Sequence, residues 1–240
     1  MPSPASPDRE ETVNPRIAVA QKRLTTPRAA AVAGILFSVL LLTSLVLVQI
    51  SVPAKPQDAG DWLAGSWKTV TLALNLVPFA GIAFLWFIGV LRDRLGTNED
   101  RFFATVFLGS GLLFLAMLFA SAAVAGGTLA IFGTSPGLLI DSGLYSFGRT
   151  ITYEIMNVYT MKMAGVFMIT TCTLSLRTGI IPRWMAILGL ALALFLILSL
   201  GLLSWASLVF PLWVLLISVY VLMANLGRPK SEATTTGAPD

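Results

Sequence analysis

Residues 149–177 read RTITYEIMNVYTMKMAGVFMITTCTLSLR. The 27 residues between the two arginines are mostly apolar, and Glu154, Asn157 and Lys162 lie among them. Wound as an α-helix, such a stretch rises roughly 40 Å, enough to cross a ~30 Å hydrocarbon core with tilt or overhang. Lys162 then falls near mid-membrane. A lysine there costs on the order of 2.5–3.5 kcal/mol on insertion scales, so it requires a partner or a route to the interface. The stretch predicts a membrane-spanning helix that carries a charge.

The rest of the chain agrees. Of its 240 residues 56% are hydrophobic and only 12% charged, against about 25% charged in soluble domains. That length suits one helical bundle and leaves no room for a second large domain. The formal charge of +4 is read as loop topology rather than as an acidic partner, and nucleic-acid binding is not expected. The partners expected are the lipid bilayer itself and a membrane-protein partner or second copy.

Hydropathy places six spans at about 29–51, 68–91, 102–125, 150–176, 184–204 and 207–226. Residues 1–26 and 227–240 are polar and read as disordered cytoplasmic tails, with Arg16–Leu24 as a short surface helix at most. The glycine-rich connection from Gly126 to Gly148 is expected to avoid a long helix and to touch the membrane surface through its apolar LAIF and GLLI patches. Twelve of the sixteen basic residues fall on the side of the two tails and the 92–101 and 177–183 loops; Lys55, Lys68 and Arg149 fall opposite. The fold expected is therefore all-α: a polytopic membrane protein with six transmembrane helices in one bundle and both termini cytoplasmic, in the bacterial plasma membrane.

Two stretches, PRAAAVAGILF at Pro27–Phe37 and IIPRWMAILGL at Ile180–Leu190, resemble bacterial six-span membrane proteins grouped as a domain of unknown function. There a basic residue and Ala-Gly open the first span, and Pro-Arg-Trp opens the fifth. The resemblance implies the six-span fold and brings no catalytic residues.

The chain has no histidine and a single cysteine, Cys172. Imidazole-ligated metals, Ser-His dyads and histidine general bases are excluded together, as is an intrachain disulfide. The Gly-Ser-Gly at 109–111 lacks a base and reads as helix-packing material. No catalytic, cofactor or metal site is expected.

What remains is an intramembrane polar site: Lys162, Glu154 and Asn157 on the fourth span and Asn75 on the second. Glu154 and Lys162 are separated by about 12 Å of rise and about 80° of rotation, so they are not a direct helix pair. Glu154, Asn157, Met161, Gly165, Met168 and Cys172 share one face at helical spacing. Pro78 frees the Leu74 carbonyl, and that carbonyl or Asn75 is the partner expected for Lys162. Two functions stay open. One is an accessory or structural component acting through helix packing; the other is a small transporter or channel using Lys162 and Glu154.

Overall fold

The computed structural model describes residues 15–52, 63–95, 101–135, 137, 142–179, 181–199 and 204–226. All regular structure among them is helical. The helices are α1 (Pro15–Ser51), α2 (Leu63–Leu95), α3 (Arg101–Thr134), α4 (Leu144–Glu154), α5 (Met161–Thr178), α6 (Arg183–Leu198) and α7 (Val209–Leu226). A π-helical segment, Ile155–Thr160, joins α4 to α5 without a break, and a 3-10 turn, Ser204–Leu208, leads into α7. Four stretches are long and apolar enough to cross a membrane: Ala29–Ser51, Gly65–Arg92, Phe102–Thr134 and Trp205–Ala224.

Several boundaries differ from the sequence expectation. α3 does not stop at 125; it continues through Gly126, Gly127 and Gly133 to Thr134 and takes the LAIF patch into the helix. Each glycine costs a helix about 1 kcal/mol, but this end is held by tertiary contacts. Leu129 packs with Val70 and Tyr145. The next helix likewise begins earlier than expected, at Leu144, just after Gly143 in a left-handed conformation. The GLLI patch lies mostly outside the described residues.

α6 ends at Leu198 rather than near 204. Ser199 turns to extended backbone and its hydroxyl bonds the Leu196 carbonyl at 2.9 Å, which closes the helix after 16 residues. Residues 15–26, assigned by composition to a tail, carry helical backbone at the start of α1, while 1–14 and 227–240 lie outside the described residues. α2 runs through Pro78 as one helix.

Apart from α4 and α5, which the π segment joins end to end, successive helices run antiparallel, and their contacts fix the register. Phe37 meets Phe84 and Ser44 meets Ala73 between α1 and α2. Gly111 of α3 abuts Ile88 of α2. Ser121 of α3 meets Thr152 of α4, and Gly165 of α5 abuts Ala193 and Ile197 of α6. α7 returns to α1, with Ser218 against Gly34. The bundle thus has a proximal end, where α1 begins and α5 finishes, and a distal end, where α1 finishes and α4 begins.

At the centre α1, α2, α5 and α7 each contribute one fully buried phenylalanine, Phe37, Phe84, Phe167 and Phe210, and α3 contributes two, Phe107 and Phe114. Phe84 lies 4.6 Å from Phe37, 5.1 Å from Phe114 and 5.4 Å from Phe167, and Phe114 lies 4.6 Å from Phe210, centroid to centroid. Close packing of this kind is the means of association open to helices as apolar as these. Tilted and edge-on ring pairs add about 0.5–1.5 kcal/mol each. The glycines beside this cluster bring backbones together: a β-carbon at Gly111 would press on Ile88 and Phe167, and one at Gly189 on Cys172 and Trp213.

Candidate functional site

Distal to the phenylalanine cluster the packing opens. A partly open cavity of about 300 Å³ lies between the distal halves of α1 and α2, α3, α4 with its π segment, and Ser207. Its floor is Leu41, Val77 and Leu118, all buried. Leu41 and Leu118 stand one helical turn beyond Phe37 and Phe114, so the cavity begins where the aromatic plug ends.

The walls are mostly apolar, and their hydroxyls are largely committed to backbone carbonyls. Ser44 donates to Ala73 at 2.7 Å, Ser121 to Thr152 at 3.0 Å and Thr128 to Val124 at 2.9 Å. The first two bonds tie neighbouring helices together across the cavity wall. Thr152 is the exception. Its hydroxyl is buried and has no partner among the described residues, whereas Thr150, Thr170 and Thr171 return theirs to a carbonyl one turn back. A buried hydroxyl left alone costs about 1–3 kcal/mol, so its place on a cavity wall calls for explanation.

Among the described residues that line it, Arg149 is the one cation and none is acidic. It sits one turn distal to Thr152, and its Nη1 donates to the Tyr145 hydroxyl at 3.3 Å. Tyr145 is itself buried against Val70 and Leu129, so the guanidinium is steered by an anchored ring.

The four residues singled out from the sequence do not meet. Asn157 lines the cavity from the π segment, with its amide nitrogen donating to the Tyr153 carbonyl at 3.1 Å. Glu154 and Asn75 are exposed, and neither is a lining residue. Lys162 is half-buried in the first turn of α5 and lies outside the cavity lining. It forms no hydrogen bond or ion pair with any described residue, so the expected bond to Asn75 or the Leu74 carbonyl is not made.

The shared face expected from Glu154 to Cys172 also divides. Met161, Gly165, Met168 and Cys172 are buried as a packing seam, whereas Glu154 is exposed. The π segment is the reason. It accommodates an extra residue, and each residue turns the helix by about 100°, so a face traced on α-helical spacing is lost across it. Single π turns occur often at functional sites, and this one forms part of the cavity wall through Met156 and Asn157.

Arg149, Tyr145 and Thr152 were not singled out from the sequence. By hydropathy the stretch LYSFGRTITYE straddles the glycine-rich connection and the fourth span, although Tyr145, Arg149, Thr152 and Tyr153 recur at helical spacing. Comparison with protein-family models, curated proteins and solved structures finds no match for this chain.

Proposed function

We propose that this protein is an integral membrane protein that binds a bilayer-soluble, mostly apolar molecule in the distal half of its bundle. The observation that carries the reading is the juxtaposition of a sealed aromatic centre and a cavity of about 300 Å³. That volume is at the low end for small-molecule sites, and the mainly apolar lining with few polar groups is typical of them.

The proposed topology has six crossings with both termini in the cytoplasm, in a bacterial plasma membrane, so that the cavity lies in the outer half. The basic-residue asymmetry supports it, as do Trp67, Trp184 and Trp205, each exposed near a helix end. The kinship proposed with six-span bacterial proteins rests on the Pro27–Phe37 and Ile180–Leu190 stretches alone.

The two functions left open by the sequence draw less support. Transport through Lys162 needs a cavity that reaches it, and Lys162 is not a lining residue. Assembly with a partner through small residues would have to use the helical glycines with open space beside them, such as Gly89, Gly109 and Gly127, because Gly34, Gly81, Gly111, Gly165 and Gly189 all serve contacts inside the bundle.

A photoreactive decanol analogue tests the binding reading, with the full chain in nanodiscs of neutral lipid. Labelling should concentrate on cavity residues such as Leu45 and Ala122, saturate, and fall when Ala122→Phe fills the space. Labelling spread over lipid-facing positions such as Leu72 and Leu112, unaffected by that variant, would overturn it.

A further inference from the structure

We propose that the molecule held in this cavity is a neutral single-chain alcohol, bound with its hydroxyl at the floor against the amide of Asn157 and its apolar chain toward the distal end. The inference rests on the binding reading above and adds the chemistry of the ligand and the direction in which it lies.

Asn157 stands deep in the cavity. The Ser121–Thr152 bond sets residues 121 and 152 at one level. Leu118 lies three residues proximal to Ser121, about 4.5 Å by helix rise. Asn157 lies about one turn proximal to Thr152, within the π segment. The amide is therefore level with the floor residue Leu118, and both line the cavity.

The other polar groups of the wall are engaged or enclosed. Ser44, Ser121 and Thr128 donate to carbonyls. Gln49, Tyr145, Arg149, Tyr153 and Ser207 each hold interactions of their own. The Thr152 oxygen is shut inside the wall, beyond the reach of a molecule in the cavity. Asn157 differs. One of its N–H groups goes to the Tyr153 carbonyl, and its amide oxygen takes no bond among the described residues. An amide fixed in this way keeps an acceptor oxygen and a second N–H.

A hydroxyl matches what is left. It is uncharged, it donates to the amide oxygen, and it accepts from the second N–H. An ion at this depth would lie roughly 12 Å by helix rise from Arg149, the one charge among the described lining residues, with its desolvation uncompensated. A pure hydrocarbon would leave the amide oxygen alone among leucine and valine. At ~30 Å³ per water-sized group the cavity takes on the order of ten such groups, which fits one chain and excludes a whole two-chain phospholipid. The posture is the reverse of that in a free bilayer, where a hydroxyl sits at the interface.

The test uses three photoreactive probes at equal membrane concentration, with the full chain in neutral-lipid nanodiscs. They are decanol with a diazirine beside the hydroxyl, decanol with the diazirine at the far end of the chain, and the methyl ether of the first. The probe reactive beside its hydroxyl should label Leu118 and Met156, and the one reactive at its far end Val48 and Ala125. The first alcohol should label the cavity about threefold to tenfold more efficiently than its ether, which cannot donate to Asn157. Asn157→Leu should bring that alcohol down to the ether and leave the ether unchanged. Labelling of Val48 in place of Leu118 by the probe reactive beside its hydroxyl would overturn the inference while leaving the cavity reading intact. So would equal labelling by alcohol and ether in the unaltered protein, and neither result depends on a variant folding. An alcohol preference that survives Asn157→Leu would overturn it as well. Saturable cavity labelling by none of the three would remove the binding reading and this inference with it.

Discussion

Gly148 of α4 faces Thr128 of α3 so closely that a β-carbon on Gly148 would overlap the threonine hydroxyl. The approach sets the width of the cavity wall formed by these two helices, since both residues line it. Gly148→Ala should push the helices apart and destabilise the protein by about 1–3 kcal/mol, the usual cost of overpacking. Thr128→Ala removes the obstructing oxygen, so the double variant should regain most of that loss. Unfolding curves of the four proteins in one detergent give the coupling energy, and an additive cycle would refute the contact.

The phenylalanine cluster gives a second expectation. Phe84 touches Phe37, Phe87, Phe114, Phe167 and Phe210, and Phe84→Ala should cost about 3 kcal/mol or more through the void it leaves. Phe102 is two-thirds exposed, and Phe102→Ala should stay within about 0.5 kcal/mol of the parent. Comparable losses from the two would mean that the rings do not form the centre.

Helical glycines should separate by sign. At Gly165 a β-carbon meets Ile197 and the Ala193 carbonyl oxygen at 3.1 Å, and backbone cannot rotate out of the way. Gly165→Val should therefore loosen α5 from α6 and lower stability by about 1–3 kcal/mol. At Gly109 a β-carbon meets nothing, and Gly109→Ala should be neutral or raise stability by up to about 1 kcal/mol.

Lys162 has no hydrogen-bonding or ionic partner among the described residues. Lys162→Met should leave stability unchanged or raise it, because a half-buried ammonium without a partner is unfavourable. A loss above about 1 kcal/mol on thermal unfolding would reveal a bond that the structure does not contain.

Orientation is open to direct measurement. Single cysteines placed at Ser3 and Ser231 in a Cys172→Ala background should resist an impermeant maleimide in intact cells and react once the cells are broken. One at Gln57, between α1 and α2, should react from outside. Labelling of either tail in intact cells would reverse the topology.

The all-helical class was legible in the sequence because apolar runs long enough to cross a bilayer leave little choice but helices. Helix ends were less legible. Hydropathy registers glycine at 126, 127 and 133 but not the packing of Leu129 on Val70 and Tyr145 that carries α3 past them. The candidate site was the least legible. Lys162 and Glu154 drew notice as charges, whereas the cavity depends on where leucine, alanine and valine fail to touch one another, which has no signature in composition. Arg149 was visible, but as a topology marker at the edge of a span. Only the observed start of α4 at Leu144 turns it inward with Tyr145.

The π segment at Ile155–Thr160 has a consequence for how such a chain diverges over generations. It holds one residue more than an α-helix would, so the loss of a single codon there would restore α-helical spacing. All of α4 would then turn by about 100° against α5. Arg149 and Thr152 would swing off the cavity wall together, with the buried phenylalanines left in place and every other residue of the chain unchanged. A relative with the same aromatic centre and one residue fewer between Glu154 and Met161 would have lost the pocket and kept the bundle.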